Sequence, residues 1–242
     1  MYYEEHGEGE PLLLMHAGAC TIETLSGLTR ELANRYKVIL PEQRGHGRTP
    51  DVNGPISYDL MSQDTIAFME ATGIMSAHLV GYSDGANTGM LMAMSRPDLV
   101  RKFVSISGNF DTNGLTKEAL AFFQSATLET FQQHPTLATL IEMYNQTTPD
   151  GSEHFPIVLE KLKRMWLEEP KIPPQNLSRI TAPTLIMAGD RDMITLEHTI
   201  ELFRAIPKAQ LCIVPDSSHE LASEKPRLVA QAILDFLADE KR

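Results

Sequence analysis

Short apolar segments recur along the chain, and most are followed by turn residues and then by a stretch with helical periodicity. A continuous apolar run is typical of a strand covered on both faces, as in a parallel sheet. The predicted strands are 12–15, 36–40, 78–82, 102–107, 184–188 and 211–214. The predicted helices are 22–34, 57–73, 84–96, 195–206 and 223–239. This alternation predicts an α/β fold with a mostly parallel sheet and helices on both faces.

Residues 110–180 break this alternation, because they contain several amphipathic helical segments and no convincing strand. In one segment Val158, Leu159, Leu162, Met165 and Trp166 share a face, while the charged residues at 160, 161, 163 and 164 point away. We therefore expect residues 1–109 and 181–242 to form one core. Residues 110–180 would form a helical cap, or lid, inserted between two strands.

Composition narrows the class of protein. The 242 residues are 42% hydrophobic and 22% charged, as in ordinary globular proteins. No apolar run reaches the roughly 18 residues of a membrane helix, and the N-terminus lacks the pattern of a signal peptide. The net charge of −11 disfavours nucleic acid as a partner. Cys20 and Cys212 lack metal-site or redox spacing. We expect a cytoplasmic protein without membrane partner, metal or cofactor.

The segment Gly81-Tyr82-Ser83-Asp84-Gly85 lies between a predicted strand and a predicted helix. This is the context in which G-x-S-x-G forms a nucleophile elbow, a turn so tight that side chains beside the serine would collide. Ser83 would project from the end of the strand. The first amides of the following helix would lie near any oxyanion formed there.

A serine nucleophile needs an imidazole base and an acid that orients this base. Two loops at the ends of later strands contain candidates for the acid and the base. They follow Ser83 in the chain order that is typical of a nucleophile elbow, with the acid before the histidine. The first loop contains Asp190 and Asp192, either of which could be the acid, and the second contains His219. His198 lies within a predicted helix, so we interpret it as a surface residue.

Over nearly its full length the sequence resembles the α/β-hydrolase family. The resemblance rests on four features in the family's order: His16-Ala17-Gly18, Arg44-Gly45-His46-Gly47-Arg48, the elbow and the two late loops. It implies that Asp192 is the acid, as the last residue of a G-x-x-D loop, and that His219 is the base. It also implies an oxyanion hole formed by the backbone N–H groups of Gly18 and Asp84.

The sequence departs from the family's pattern at several positions. Ala17 replaces the usual glycine of the oxyanion loop, whereas His16 is expected to be a structural hydrogen-bonding residue. Glu42 and Thr49 replace the usual aspartate and serine of segment 41–49, which we interpret as scaffolding. Only residues 2–5 are available for the strand pair that commonly opens the fold, so about seven strands are expected instead of eight.

The residue after the nucleophile bears on the substrate. The Ser-Asp-Gly elbow is similar to that of the valacyclovir-hydrolase (biphenyl hydrolase-like) group, in which this carboxylate recognises the α-amino group of amino-acid esters. Alternatively, Asp84 only complements the helix dipole. Tyr82 and Trp166 are further candidates for substrate contact. The cap aromatics from which pocket walls are expected are Phe110, Phe122, Phe123, Tyr144 and Trp166.

These features predict a serine hydrolase that cleaves a small carboxylic ester, thioester, lactone or amide through an acyl-enzyme, with amino-acid esters as one candidate class. One alternative on the same triad is a cofactor-free haloperoxidase, a perhydrolase or a hydrolase of carbon–carbon bonds. Another is a non-catalytic ligand-binding protein with this fold. The expected partner is a small ester-type molecule, and the sequence does not decide between a monomer and a homodimer.

Overall fold

A seven-stranded sheet forms the centre of the protein, seen in a computed structural model that describes residues 1–238. Its strands are β1 (Tyr3–His6), β2 (Glu10–Met15), β3 (Tyr36–Pro41), β4 (Ala77–Tyr82), β5 (Val100–Ile106), β6 (Thr184–Gly189) and β7 (Ala209–Val214). The order across the sheet is β1-β3-β2-β4-β5-β6-β7, and only β1 pairs antiparallel. The predicted fold class and strand number are therefore confirmed.

Within residues 1–238, ten α-helices lie beside or above this sheet. They are α1 (Ser26–Leu32), α2 (Tyr58–Thr72), α3 (Asp84–Ser95), α4 (Lys117–Ser125), α5 (Leu128–Gln133), α6 (Pro135–Thr147), α7 (Phe155–Glu168), α8 (Leu196–Ala205), α9 (Leu221–Glu224) and α10 (Pro226–Ala238). No helix within residues 1–238 is long and apolar enough to cross a membrane.

Alternating side chains of the strands build two separate core layers. In β2, Leu12 and Leu14 pack with α1 and α10, whereas Leu13 and Met15 pack with α2, α3 and α8 on the opposite face. Because successive side chains of a strand point to opposite faces, one continuous apolar run supplies both layers. The sheet is thus covered on both sides.

Two predicted helices are divided in the structure. Residues 22–34 form a 3₁₀ turn, Ile22–Leu25, followed by α1. The predicted helix 223–239 is interrupted at Lys225, between α9 and α10. Pro226 disfavours helical backbone at the residue before it, which explains the interruption. The predicted last residue of this helix, 239, lies outside the described residues.

Helices α4 to α7 lie between β5 and β6 and form a third apolar cluster. It includes four residues of the predicted apolar face of α7, all buried: Val158, Leu159, Leu162 and Met165. The cluster also contains Ala19, Ile56 and Tyr58 from loops and helices that follow β2 and β3. These contacts place α4 to α7 near the edge of the sheet at which the parallel strands end.

Candidate active site

Ser83 connects β4 to α3 in a strained backbone conformation, with φ of +53° and ψ of −113°. The flanking glycines are required sterically. A Cβ on Gly81 would lie 2.3 Å from the carbonyl oxygen of Gly85, and a Cβ on Gly85 would lie 2.4 Å from that of Met15. The Ser83 N–H donates to the carbonyl of Ile106 at 2.8 Å, which fixes the turn against β5.

The structure brings Ser83, His219 and Asp192 together. His219 lies 27 positions from Asp192 and 136 positions from Ser83 in the sequence. His219 Nε2 is 2.9 Å from Ser83 Oγ, and His219 Nδ1 is 2.7 Å from Asp192 Oδ1. Asp190 instead accepts hydrogen bonds from the backbone N–H groups of Asp216 and Ser217, as a turn residue does. The arrangement can move a proton from the serine hydroxyl to an imidazole oriented by a carboxylate.

Buried charges set the pKa values of this pair. Burial alone would lower the pKa of His219, but the Asp192 carboxylate outweighs it, so that the pKa is raised above 6.5. Burial likewise opposes ionisation of Asp192, but His219 and Ser107 reverse this effect and lower its pKa. Ser107 Oγ donates to Asp192 Oδ2 at 2.5 Å, a contact that sequence analysis missed because Ser107 was expected inside a strand.

Residues 16–19, which were predicted to form the oxyanion loop, pass directly beside the elbow. A Cβ on Gly18 would lie 2.1 Å from Asp84 Oδ2 and 2.8 Å from Trp166 Cζ2, so only glycine fits there. Ala17 takes the place of the family's usual glycine without a clash, because its methyl group belongs to the core layer under α1 and α10. His16 is a buried hydrogen-bonding residue, as expected from the sequence.

The Asp84 carboxylate is buried and held by neutral donors. It accepts hydrogen bonds from Tyr58 Oη at 2.8 Å and from Trp166 Nε1 at 3.1 and 2.9 Å. Burial raises the pKa of Asp84 to about 6, against the opposing effect of these two donors and of His219. The residue also begins α3, where a negative charge complements the helix dipole. Its side chain nevertheless faces the cavity over Ser83.

Tyr82 lines the same cavity, but its hydroxyl group is directed at the loop that carries His219. It donates to the carbonyl oxygen of His219 at 3.0 Å and to Glu220 Oε2 at 2.9 Å. The side chain before the nucleophile thus connects the elbow with the histidine loop.

The cavity over Ser83 is mainly apolar. Of the five cap aromatics considered above, Phe122, Phe123 and Trp166 line it. Phe110 and Tyr144 do not: Phe110 stacks on His198 and Tyr144 packs against Phe155.

The charged groups at the wall of this cavity are all acidic apart from His219. Asp84, Glu169 and Glu220 line it, and no lysine or arginine does so within the part of the chain that the structure describes. Glu169 is tied to Tyr58, whose backbone N–H it accepts at 3.1 Å. The charge at the wall of the cavity is therefore negative rather than positive.

The interpretation of His198 as a surface residue was wrong. Its side chain is buried, its ring stacks on Phe110 at 3.9 Å between centroids, and its Nε2 accepts the Phe110 N–H at 3.2 Å. The residue lies on the face of α8 that packs under the start of the cap. Helical position alone did not reveal which face it occupies.

The chain is similar to proteins named as hydrolases over nearly its full length. A family model described as the alpha/beta hydrolase family matches residues 12–232. The putative carbamate hydrolase RutD of Azorhizobium caulinodans is 25% identical, over 99% of this chain and 95% of its own. The esterase YbfF of Escherichia coli is 24% identical, over 95% and 93%. The 2-hydroxy-6-oxo-6-phenylhexa-2,4-dienoate hydrolase of Burkholderia cepacia is 27% identical, over 99% and 91%.

The contacts of His219 predict a titration that can be measured by NMR without any substrate. In the wild type, its imidazole should titrate with a pKa above 6.5. Asp192→Asn removes the charge that opposes the effect of burial, so the pKa of His219 should fall below that of the wild type. Asp190→Asn is the matched control and should leave it unchanged. A fall caused by Asp190→Asn rather than by Asp192→Asn would contradict the assignment.

Proposed function

The chain belongs to the α/β-hydrolase family, and from this premise we propose that it hydrolyses small carboxylic esters through an acyl-enzyme formed on Ser83. That it is a hydrolase follows from the family and from its hydrolase relatives. The observation that carries the finer proposal is the hydrogen-bonded series Ser83–His219–Asp192, of which Ser83 and His219 line the cavity.

In this mechanism each group has one task. His219 Nε2 takes the proton of Ser83 Oγ as this oxygen attacks the ester carbonyl. The backbone N–H groups of Gly18 and Asp84 stabilise the resulting oxyanion. The imidazolium, stabilised by Asp192, then gives its proton to the departing alcohol. A water molecule, activated by the same imidazole, releases the acid from Ser83.

The charges around the cavity support a narrower substrate class, namely esters that carry an ammonium group near the carbonyl. Tyr58 and Trp166 donate to Asp84 without neutralising its charge. Glu169 and Glu220 add to the negative potential. The dienoate named for the Burkholderia relative is an anion, and an anion would be repelled here. An α-ammonium group would gain a charge-assisted hydrogen bond.

The proposed reaction predicts the effect of removing the nucleophile or the base. Ser83→Ala and His219→Ala should each lower kcat for p-nitrophenyl acetate by at least about 10³, because members of a triad act as a unit. A fluorophosphonate probe should label the wild type but not Ser83→Ala. The exposed hydroxyl of Ser95, at the end of α3, provides a control: Ser95→Ala should retain both activity and labelling. Wild-type turnover by folded Ser83→Ala protein would refute the proposal.

The proposed substrate class predicts the effect of removing the Asp84 carboxylate. The ratio of kcat/KM for a phenylalanine ester to that for its des-amino analogue should fall roughly tenfold to a hundredfold in Asp84→Asn, as expected for loss of a charge-assisted hydrogen bond of about 1.5–3 kcal/mol. In the wild type the preference should be present above pH 6 and decline as the pH falls through about 6, where the Asp84 carboxylate becomes protonated.

The matched control for this experiment is Asp59→Asn, which removes an exposed carboxylate from the first turn of α2. It should leave the ratio unchanged. If Asp84→Asn also left the ratio unchanged, the carboxylate would serve the helix terminus and the packing of Trp166 alone.

A further inference from the structure

Two buried histidines from different loops make hydrogen bonds with the backbone of the oxyanion loop. His16 belongs to the loop itself, and His46 belongs to segment 41–49 after β3. Both side chains are almost inaccessible to solvent, at 1% and 2% exposure, and their ring centroids are 5.0 Å apart. The mechanism above uses neither imidazole as an acid or a base.

The two rings make reciprocal contacts across the loops. His16 Nδ1 is 2.7 Å from the Ala17 carbonyl oxygen, and its Nε2 accepts the Gln43 N–H at 3.0 Å. His46 Nδ1 is 2.9 Å from the Arg44 carbonyl oxygen, and its Nε2 accepts the Ala19 N–H at 3.1 Å. A neutral ring protonated at Nδ1 satisfies both contacts of each histidine.

Their environment keeps both rings in that neutral form. Burial lowers the pKa of His16 to about 4 and that of His46 to about 3. A proton on Nε2 would also point at a backbone N–H donor in each case. The loop that carries His46 is anchored independently, because the buried Glu42 carboxylate accepts the Arg48 N–H at 2.5 Å and its guanidinium group at 2.9 Å.

The contacts fall on both peptide planes that flank Gly18. The Ala17 carbonyl belongs to the same planar peptide as the Gly18 N–H, and in a trans peptide these two groups point in opposite directions. His16 therefore fixes the direction of the Gly18 N–H. The Ala19 N–H belongs to the next peptide, which His46 fixes. Glycine has the freest backbone of all residues, so its conformation needs such external support.

We propose that His16 and His46 are positioning residues that clamp the two peptides of Gly18 and so hold its N–H in place for the oxyanion. The inference rests on the proposed function, since it assigns these residues to the same reaction. It gives the Arg-Gly-His-Gly-Arg segment, first interpreted as scaffolding, a role in transition-state stabilisation. A donor that is already oriented needs no reorganisation when charge develops on the substrate.

The test uses the different reach of asparagine and glutamine. The polar end of asparagine corresponds to Nδ1 of a histidine, and that of glutamine corresponds to Nε2. The clamp uses Nε2 at His46 but Nδ1 at His16. His46→Asn should therefore lower kcat more than His46→Gln, whereas His16→Gln should lower it more than His16→Asn. We expect the more harmful variant of each pair to lose roughly tenfold to a hundredfold in kcat with little change in KM, less than removal of an oxyanion donor costs.

A second readout separates the oxyanion hole from general damage. An alkyl trifluoromethyl ketone forms a tetrahedral adduct with a serine nucleophile, and its affinity should fall in parallel with kcat across the four variants. His78→Asn is the control, because His78 is also buried but lies in β4 and contacts Glu10 instead. It should change neither quantity.

The clamp would be overturned if the same substitution, asparagine or glutamine, lowered kcat more at both positions. That result is expected if the two histidines only fill space. Wild-type values in all variants would also overturn the clamp. If the two variants of one histidine failed to fold, the two variants of the other histidine would still test the clamp. Activity of Ser83→Ala, measured alongside, tests the proposed function separately from the clamp.

Discussion

The strained turn at Ser83 is the constraint on which the site depends. A non-glycine residue at φ of +53° costs on the order of 1–3 kcal/mol, and neighbouring contacts must compensate for it. Here Gly81 and Gly85 allow the turn to close against β2, and the bond from the Ser83 N–H to Ile106 ties it to β5. The turn raises Oγ above the sheet edge where the loops after β6 and β7 end.

Two buried carboxylates near this turn have opposite electrostatic environments. Asp192 faces a histidine and a hydroxyl donor, which together lower its pKa despite burial. Asp84 faces only neutral donors and a more distant histidine, and its pKa is raised to about 6. Asp192 therefore stays charged at neutral pH, whereas the charge of Asp84 depends on pH near neutrality. Trp166 donates to the Asp84 carboxylate from α7, so the positions of α7 and of this carboxylate are coupled through one side chain.

The fold and the proximity of Ser83, His219 and Asp192 could be predicted from the sequence, because the apolar runs and motifs that indicate them are local. Buried parallel strands give continuous apolar runs, and the elbow, Asp192 and His219 each follow such a run. Contacts that depend on tertiary packing could not be predicted in this way. Tyr58 reaches Asp84 across 26 positions and Trp166 across 82. Likewise, His198 was misplaced because its burial depends on packing against Phe110, which lies 88 positions away in the sequence.

The central claim is that turnover passes through an ester of Ser83. Rapid-quench mass spectrometry with p-nitrophenyl butyrate tests it most directly. The account predicts a burst of p-nitrophenol equal to the enzyme concentration where deacylation limits turnover, together with a butyryl group on the peptide that contains Ser83. Slowing deacylation with Asp192→Asn should still give that peptide alone as the labelled one. An acyl group on another residue, or turnover with no covalent adduct in either protein, would contradict the account.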